Sequence, residues 1–225
     1  MSIRALSFDL DGTLVDSAPD LANPLSITIA EEGLPGYSEA QTRLWVGNGV
    51  RALVWRALNH CLRHEPTQKQ WNRCCERFFI HYQRFLDQST RVFPYVCEVL
   101  DHLQARDYKL GCITNKPERF TDPLLRNLGL FDYFSVIVNG DSLPRKKPDP
   151  LPLRHAAKVL EIDPSEMVMV GDSIIDIQAA QAAGCKIIAV SYGYNRGDDI
   201  CDTGPDLVID HFRDLLPWLE GLAVC

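Results

Sequence analysis

The 225-residue sequence lacks any apolar run approaching the roughly 18 residues of a membrane-spanning helix. No membrane association is expected. Its first segment, MSIRALSFDLDG, reaches Asp9 before an apolar stretch of leader-peptide length develops, so a secretory signal is not expected either. The eight cysteines show no paired spacing, which excludes a disulfide framework as the basis of the fold and favours reduced thiols in the cytoplasm. Internal repeats and low-complexity segments are missing. No basic stripe interleaved with aromatics occurs, and no nucleic-acid reader motif, so a nucleic-acid partner is excluded.

What is present is ordinary in amount and uneven in placement. Hydrophobic residues make up 46% and charged residues 24%, as in a soluble globular protein with a proper core. The net charge of −7 hides a basic segment: from Arg43 to Arg84 eight cations face only Glu65 and Glu76, giving +6 there and −13 elsewhere. Solvated helix faces account for most such charge. A basic module opposite an acidic one also suits an anionic ligand held between them.

The periodicity changes along the chain. Arg4–Phe8 reads as a buried strand. After Asp16 several amphipathic helical stretches follow one another, with Pro24 expected in a first turn or at a kink. From Val92 onward short apolar strands alternate with helices: Lys109–Thr114, Ser135–Val138, Met167–Asp172, Lys186–Ser191 and Leu207–Asp210 are the strands, and a helix near Glu118 is expected to break at Pro123. This alternation predicts an α/β fold, a Rossmann-like parallel sheet with helices on both faces. About a hundred residues separate the first two strands, far more than a crossover of roughly 10–30. An inserted α-helical cap domain over residues 17–90 resolves the excess, leaving 1–16 and 91–225 as the core.

The first strand ends in Asp9-Leu10-Asp11-Gly12-Thr13, which poses a charge problem. Residues two apart on a strand point the same way. Two carboxylates about 5 Å apart repel by a few kcal/mol at an effective dielectric of about 20. Ligands in open parallel sheets bind beyond the strands' carboxyl ends, and the other polar signals lie at such ends: Thr114-Asn115, the loop Arg145-Lys146-Lys147-Pro148, and Gly171-Asp172-Ser173 with Asp176 one turn on. Clustered carboxylates suit a hard divalent cation such as Mg2+, completed by phosphate and water. Thr13 and Thr114 offer hydroxyls and Lys147 a point charge for phosphate. Singly, each feature is most often a turn, a cap or a solvated loop. Their succession at consecutive strand ends is the functional signal.

These four motifs resemble those of the haloacid dehalogenase-like hydrolase superfamily, over nearly the whole chain. The acid at position 11 is similar to that of its phosphate-handling members. Val46-Gly47-Asn48-Gly49 with Arg56-Ala57-Leu58, GDSIIDIQAAQAAG and Tyr192-Gly193-Tyr194 resemble the bacterial phosphoglycolate phosphatases. The resemblance implies a phosphomonoesterase for a small phosphorylated metabolite, with Asp9 as nucleophile and Asp11 as acid and base. It implies Mg2+ held by Asp9, the Asp11 backbone carbonyl and Asp172. Thr114, Asn115 and Lys147 would bind the phosphoryl group, Lys147 also stabilising its charge in transfer. Arg51 is the candidate in the substrate-facing cap loop, against a plain solvated helix residue. A sugar phosphomutase and a non-enzymatic, receiver-like phospho-acceptor module are the competing readings. His60, Cys61, His64, Cys74, Cys75 and His81 cluster in the cap sequence but lack metal-ligand spacing, and buried thiols with exposed histidines are expected there.

Overall fold

The computed structural model describes residues 2–197 and 199–221. In chain order the elements are β1 (Ala5–Phe8), β2 (Val15–Asp16), α1 (Ala18–Glu31), α2 (Glu39–Trp45), α3 (Val50–Leu62), α4 (Gln68–Phe85), β3 (Arg91–Val92), α5 (Val96–Gln104), β4 (Lys109–Ile113), α6 (Glu118–Asn127) and β5 (Val136–Val138). They continue with α7 (Leu151–Val159), β6 (Met167–Gly171), α8 (Ile174–Ala183), β7 (Lys186–Val190), β8 (Leu207–Ile209) and α9 (Leu215–Leu219).

Six strands form one parallel sheet in the order β5-β4-β1-β6-β7-β8. The two central strands are buried throughout, which accounts for continuous apolar runs such as Met167–Val170. Alternate residues serve opposite faces. Leu6, Phe8, Val168 and Val170 pack with α5 and α6 through Val99, Leu103 and Leu124. Ala5, Met167 and Met169 pack with α7 and α8 through Leu153, Ala156 and Ala180. Each fully buried Leu, Val, Phe or Met side chain among these contributes about 1.5–3 kcal/mol. The α/β reading of the sequence therefore holds.

Helices α1–α4 lie between β2 and β3, and those two short strands pair antiparallel, Val15 with Val92 and Asp16 with Arg91. The four helices share a core that includes Leu25, Ile29, Leu53, Leu58, Phe78 and Tyr82. Phe120 and Tyr194 join this cluster from the sheet-bearing part of the chain. Buried Asp20 of α1 ties the return strand in place, accepting hydrogen bonds from the Ser89 and Thr90 amides, both at 2.8 Å, and from the Thr90 hydroxyl at 2.7 Å.

One local expectation fails. Pro123 does not interrupt its helix: α6 runs through it, buried on the face carrying Phe120, Leu124 and Leu125. Pro24 sits in the middle of α1, which leaves a kink rather than a first turn as the expectation for it. Packing of the apolar face outweighs one missing backbone hydrogen bond in each case. Among the described residues, no helix is long and apolar enough to cross a membrane.

Candidate active site

The carboxyl ends of β1, β4 and β6 and the loop after β5 meet at one cleft. Asp9 follows β1 directly, and the chain then turns tightly, with the Thr13, Leu14 and Val15 amides all donating to the Leu10 carbonyl. Gly12 makes this turn possible. Its φ of +96° lies in the left-handed region, and a Cβ there would fall 2.2 Å from Asp172 Oδ2. The loop thereby passes directly over the carboxylate at the end of β6.

That carboxylate is fixed from two sides. Asp172 accepts the Thr13 hydroxyl at 3.0 Å and the Tyr194 amide at 2.6 Å. Asp176, in the first turn of α8, accepts the Ser173 amide at 3.1 Å and its hydroxyl at 2.7 Å. Lys147, only 2% exposed, bonds Asp9 Oδ1 at 2.9 Å and Asp176 Oδ1 at 2.6 Å. Carboxylate oxygens of Asp9, Asp172 and Asp176 lie within 4.8 Å of one another.

Three acids against one ammonium leave excess negative charge in a buried place. Burial, opposed by Lys147, pushes the Asp9 carboxyl up to about 7. Burial, together with the charges of Asp9 and Asp176, raises Asp172 well above the ordinary carboxylate range. Burial alone would lower Lys147, yet Asp176 and Asp9 hold it above its ordinary value. An all-oxygen donor set with surplus negative charge fits a hard divalent cation.

Asp11 turns away from this trio. Its carboxylate lies 3.0 and 3.3 Å from Lys116 Nζ and accepts the Ser17 hydroxyl at 2.6 Å. Lys116 is buried and donates to the Tyr82 hydroxyl of α4 at 2.6 Å. Burial would push this ammonium down, but Asp11 and Tyr82 hold it above its ordinary value. Thr114 accepts the Lys116 amide at 3.1 Å, and the Asn115 side-chain amide donates to the Lys147 carbonyl at 2.9 Å. Asn115 Oδ1 is buried without a hydrogen-bond partner. Gly47–Val50, Leu21 and Leu53 line the opposite wall, and the cleft encloses about 600 Å³ including space open to solvent.

The structure thus gathers Asp9, Asp11, Thr114, Asn115, Lys147, Asp172 and Asp176 into one cleft. Arg51 is not among the lining residues. It is exposed, stacks on Trp71 with 4.4 Å to the ring centroid, and donates to Asn72 at 2.7 Å. The Thr13 hydroxyl serves Asp172 rather than pointing to a ligand. Much of the basic charge between Arg43 and Arg84 is used locally. Arg73 and Arg77 pair with Glu32, Arg43 pairs with Asp16, and Arg56 donates to the Trp45 and Gly47 carbonyls. Among helices α1–α4, Cys61, Cys74 and Cys75 are buried, while His60 meets Gln41 and His81 meets Glu31. Sequence reasoning missed Lys116 and Tyr82. A cation directly after Thr114-Asn115 was the available signal for Lys116, whereas Tyr82 looked like any member of an apolar helix stripe.

Comparison with known proteins agrees with this geometry. The family model described as haloacid dehalogenase-like hydrolase matches residues 6–190. The chain belongs to that family. It is an enzyme of the hydrolase class, and it is similar to proteins named phosphoglycolate phosphatase. One from Yersinia pestis is 47% identical over 216 residues, covering 96% of this chain and 93% of that one. Another from Nitrosococcus oceani is 45% identical over 215 residues, covering 96% of each chain. The crystal structure of a predicted phosphoglycolate phosphatase from Haemophilus somnus superimposes with a TM-score of 0.91 at 35% identity, covering 97% of this chain and 98% of that one.

Proposed function

We propose that this hydrolase is a Mg2+-dependent phosphatase that converts 2-phosphoglycolate to glycolate and phosphate through an aspartyl phosphate on Asp9. The observation that carries the proposal is the clustering of Asp9 with Asp172 and Asp176, with Lys147 bridging Asp9 and Asp176, in a cleft also lined by Gly47–Val50. The names of the relatives support the substrate.

Asp9, Asp172 and the Asp11 backbone carbonyl are the proposed Mg2+ ligands. The ion would offset the charge of the phosphoryl group and of the clustered acids. Asp176 holds Lys147 in place. An Asp9 oxygen attacks phosphorus, and the bond from phosphorus to the glycolate oxygen breaks. Asp11, beside the departing oxygen, gives it a proton, and afterwards takes one from the water that hydrolyses the aspartyl phosphate. Lys147, the Thr114 hydroxyl and the Asn115 backbone N–H hold the phosphoryl oxygens. Residues 17–90 act as a cap that closes the cleft against bulk water. Arg51 is retained as a candidate for contact with incoming substrate at the cap's edge. The compartment is the cytoplasm.

The test is a phosphate-release screen over small phosphomonoesters, with Mg2+ and with chelator. Release from 2-phosphoglycolate without added bisphosphate, lost on chelation, is expected. A bisphosphate requirement would make the chain a mutase, and a single phosphorylation without turnover would make it a phospho-acceptor module.

A further inference from the structure

Lys116 has a place in the cleft that the steps above leave unused. It lines the cavity while only 3% exposed. Its backbone is held rigidly. The Lys116 amide donates to the Thr114 hydroxyl at 3.1 Å, and its carbonyl accepts the Gly140 amide at 2.8 Å and the Thr121 hydroxyl at 3.3 Å. Its ammonium is equally confined, between the Asp11 carboxylate and Tyr82, whose ring lies 5.0 Å from Nζ. Tyr82 is fully buried and comes from α4, so the enclosure of Lys116 is built from both parts of the chain.

A buried ammonium is retained only where an anion faces it. In this structure that anion is Asp11. The arrangement changes when Asp11 turns to the leaving oxygen of a bound phosphoester. The ammonium, which here lies 3.0 Å from Asp11 Oδ1, is then left with fewer acceptors for its three donors. Substrates differ in what they place at this point. In 2-phosphoglycolate a single methylene joins the leaving oxygen to a carboxylate, which brings a second anion within hydrogen-bond reach of a group beside Asp11. Lys147, the other buried lysine on the cavity wall, is engaged by Asp9 and Asp176 and faces the phosphoryl end.

We propose that Lys116 is the specificity residue that recognises the substrate's carboxylate, one methylene from the leaving oxygen, with Tyr82 closing the cap over the ion pair. The proposal rests on the phosphatase reading above and deepens it. Lys116 selects phosphorylated short carboxylic acids over neutral phosphoesters of the same length. Phosphoesters with a longer spacer place their carboxylate beyond the rigidly held ammonium.

The experiment compares kcat/KM for 2-phosphoglycolate, its amide, ethylene glycol monophosphate and 3-phosphopropionate, using the intact protein and the Lys116→Met and Lys116→Arg variants. The intact protein is expected to favour 2-phosphoglycolate over its amide by about 30-fold or more, the scale of a charge-assisted hydrogen bond. Lys116→Met is expected to collapse that ratio toward one, and Lys116→Arg to restore part of it. The amide comparison needs no variant, so a Lys116→Met protein that fails to fold leaves the test intact. An intact protein that treats acid and amide alike overturns the inference, as does a Lys116→Met loss equal on both substrates, which assigns Lys116 only to holding Asp11. Failure to hydrolyse any of the four esters refutes the phosphatase reading itself.

Discussion

At the scale of single residues, the cleft depends on small side chains as much as on acids. Gly12 is the sharpest case, because its positive φ and its contact with Asp172 both exclude a Cβ. Gly12→Ala is expected to cost about 1–3 kcal/mol of stability, measured by denaturant unfolding, and to reduce turnover by moving Asp172. Unchanged stability would show that the loop has room to shift. The chemistry-bearing residues were legible in the sequence because each stands at a fixed offset from a strand end: Asp9 after Phe8, Thr114 after Ile113, Asp172 after Gly171. Lys116 and Tyr82 were not, since their importance arises from a contact between residues 34 positions apart that only the folded chain creates.

At the scale of elements, α1 and α4 are joined by ion pairs that sequence spacing does not reveal. Glu32, just after α1, is almost buried and is held by Arg73 and Arg77 of α4. The Arg73 guanidinium keeps its carboxyl below the ordinary value of 4.5. The folded state therefore binds this proton less readily than the unfolded chain, so the stabilisation is present above about pH 4.5 and lost as pH falls through the folded-state value. Glu32→Gln is expected to lower stability by up to about 1 kcal/mol at pH 7, with the difference vanishing as pH falls through the folded-state value. A gap independent of pH in urea melts would assign the effect to packing. The prolines show the opposite limit of sequence reading. Pro123 predicts a break from local geometry, yet an amphipathic face packed on a core carries its helix through, as α1 also continues past Pro24. The paired strands β2 and β3, two residues each, are too short to leave a periodic signal.

At the scale of the whole molecule, the parallel sheet followed from the alternation of apolar runs, and the hundred-residue gap after β1 is filled by α1–α5 with the short strands β2 and β3. The sheet brings together acids from opposite ends of the chain, and their mutual repulsion has a measurable consequence. Without metal, the Asp9 carboxyl is raised by burial from 3.8 to about 7, so the folded state holds a proton that the unfolded chain releases. That contribution to stability is fully present below about pH 4 and is lost as pH rises to about 7. A divalent ion takes over the proton's role, so the rise in melting temperature on adding Mg2+ is expected to be larger at pH 8 than at pH 5. Equal shifts at both pH values would remove the cation from this cluster. The central claim is that phosphate passes through Asp9. It is tested most directly by acid-quenching the protein during turnover of phosphoryl-labelled 2-phosphoglycolate and mapping the label by peptide mass spectrometry. The account predicts an acyl phosphate on Asp9, formed and consumed within one turnover and absent in Asp9→Asn, whose phosphate release falls by at least about 10³-fold. Label on another residue, or steady phosphate release by Asp9→Asn, would contradict it.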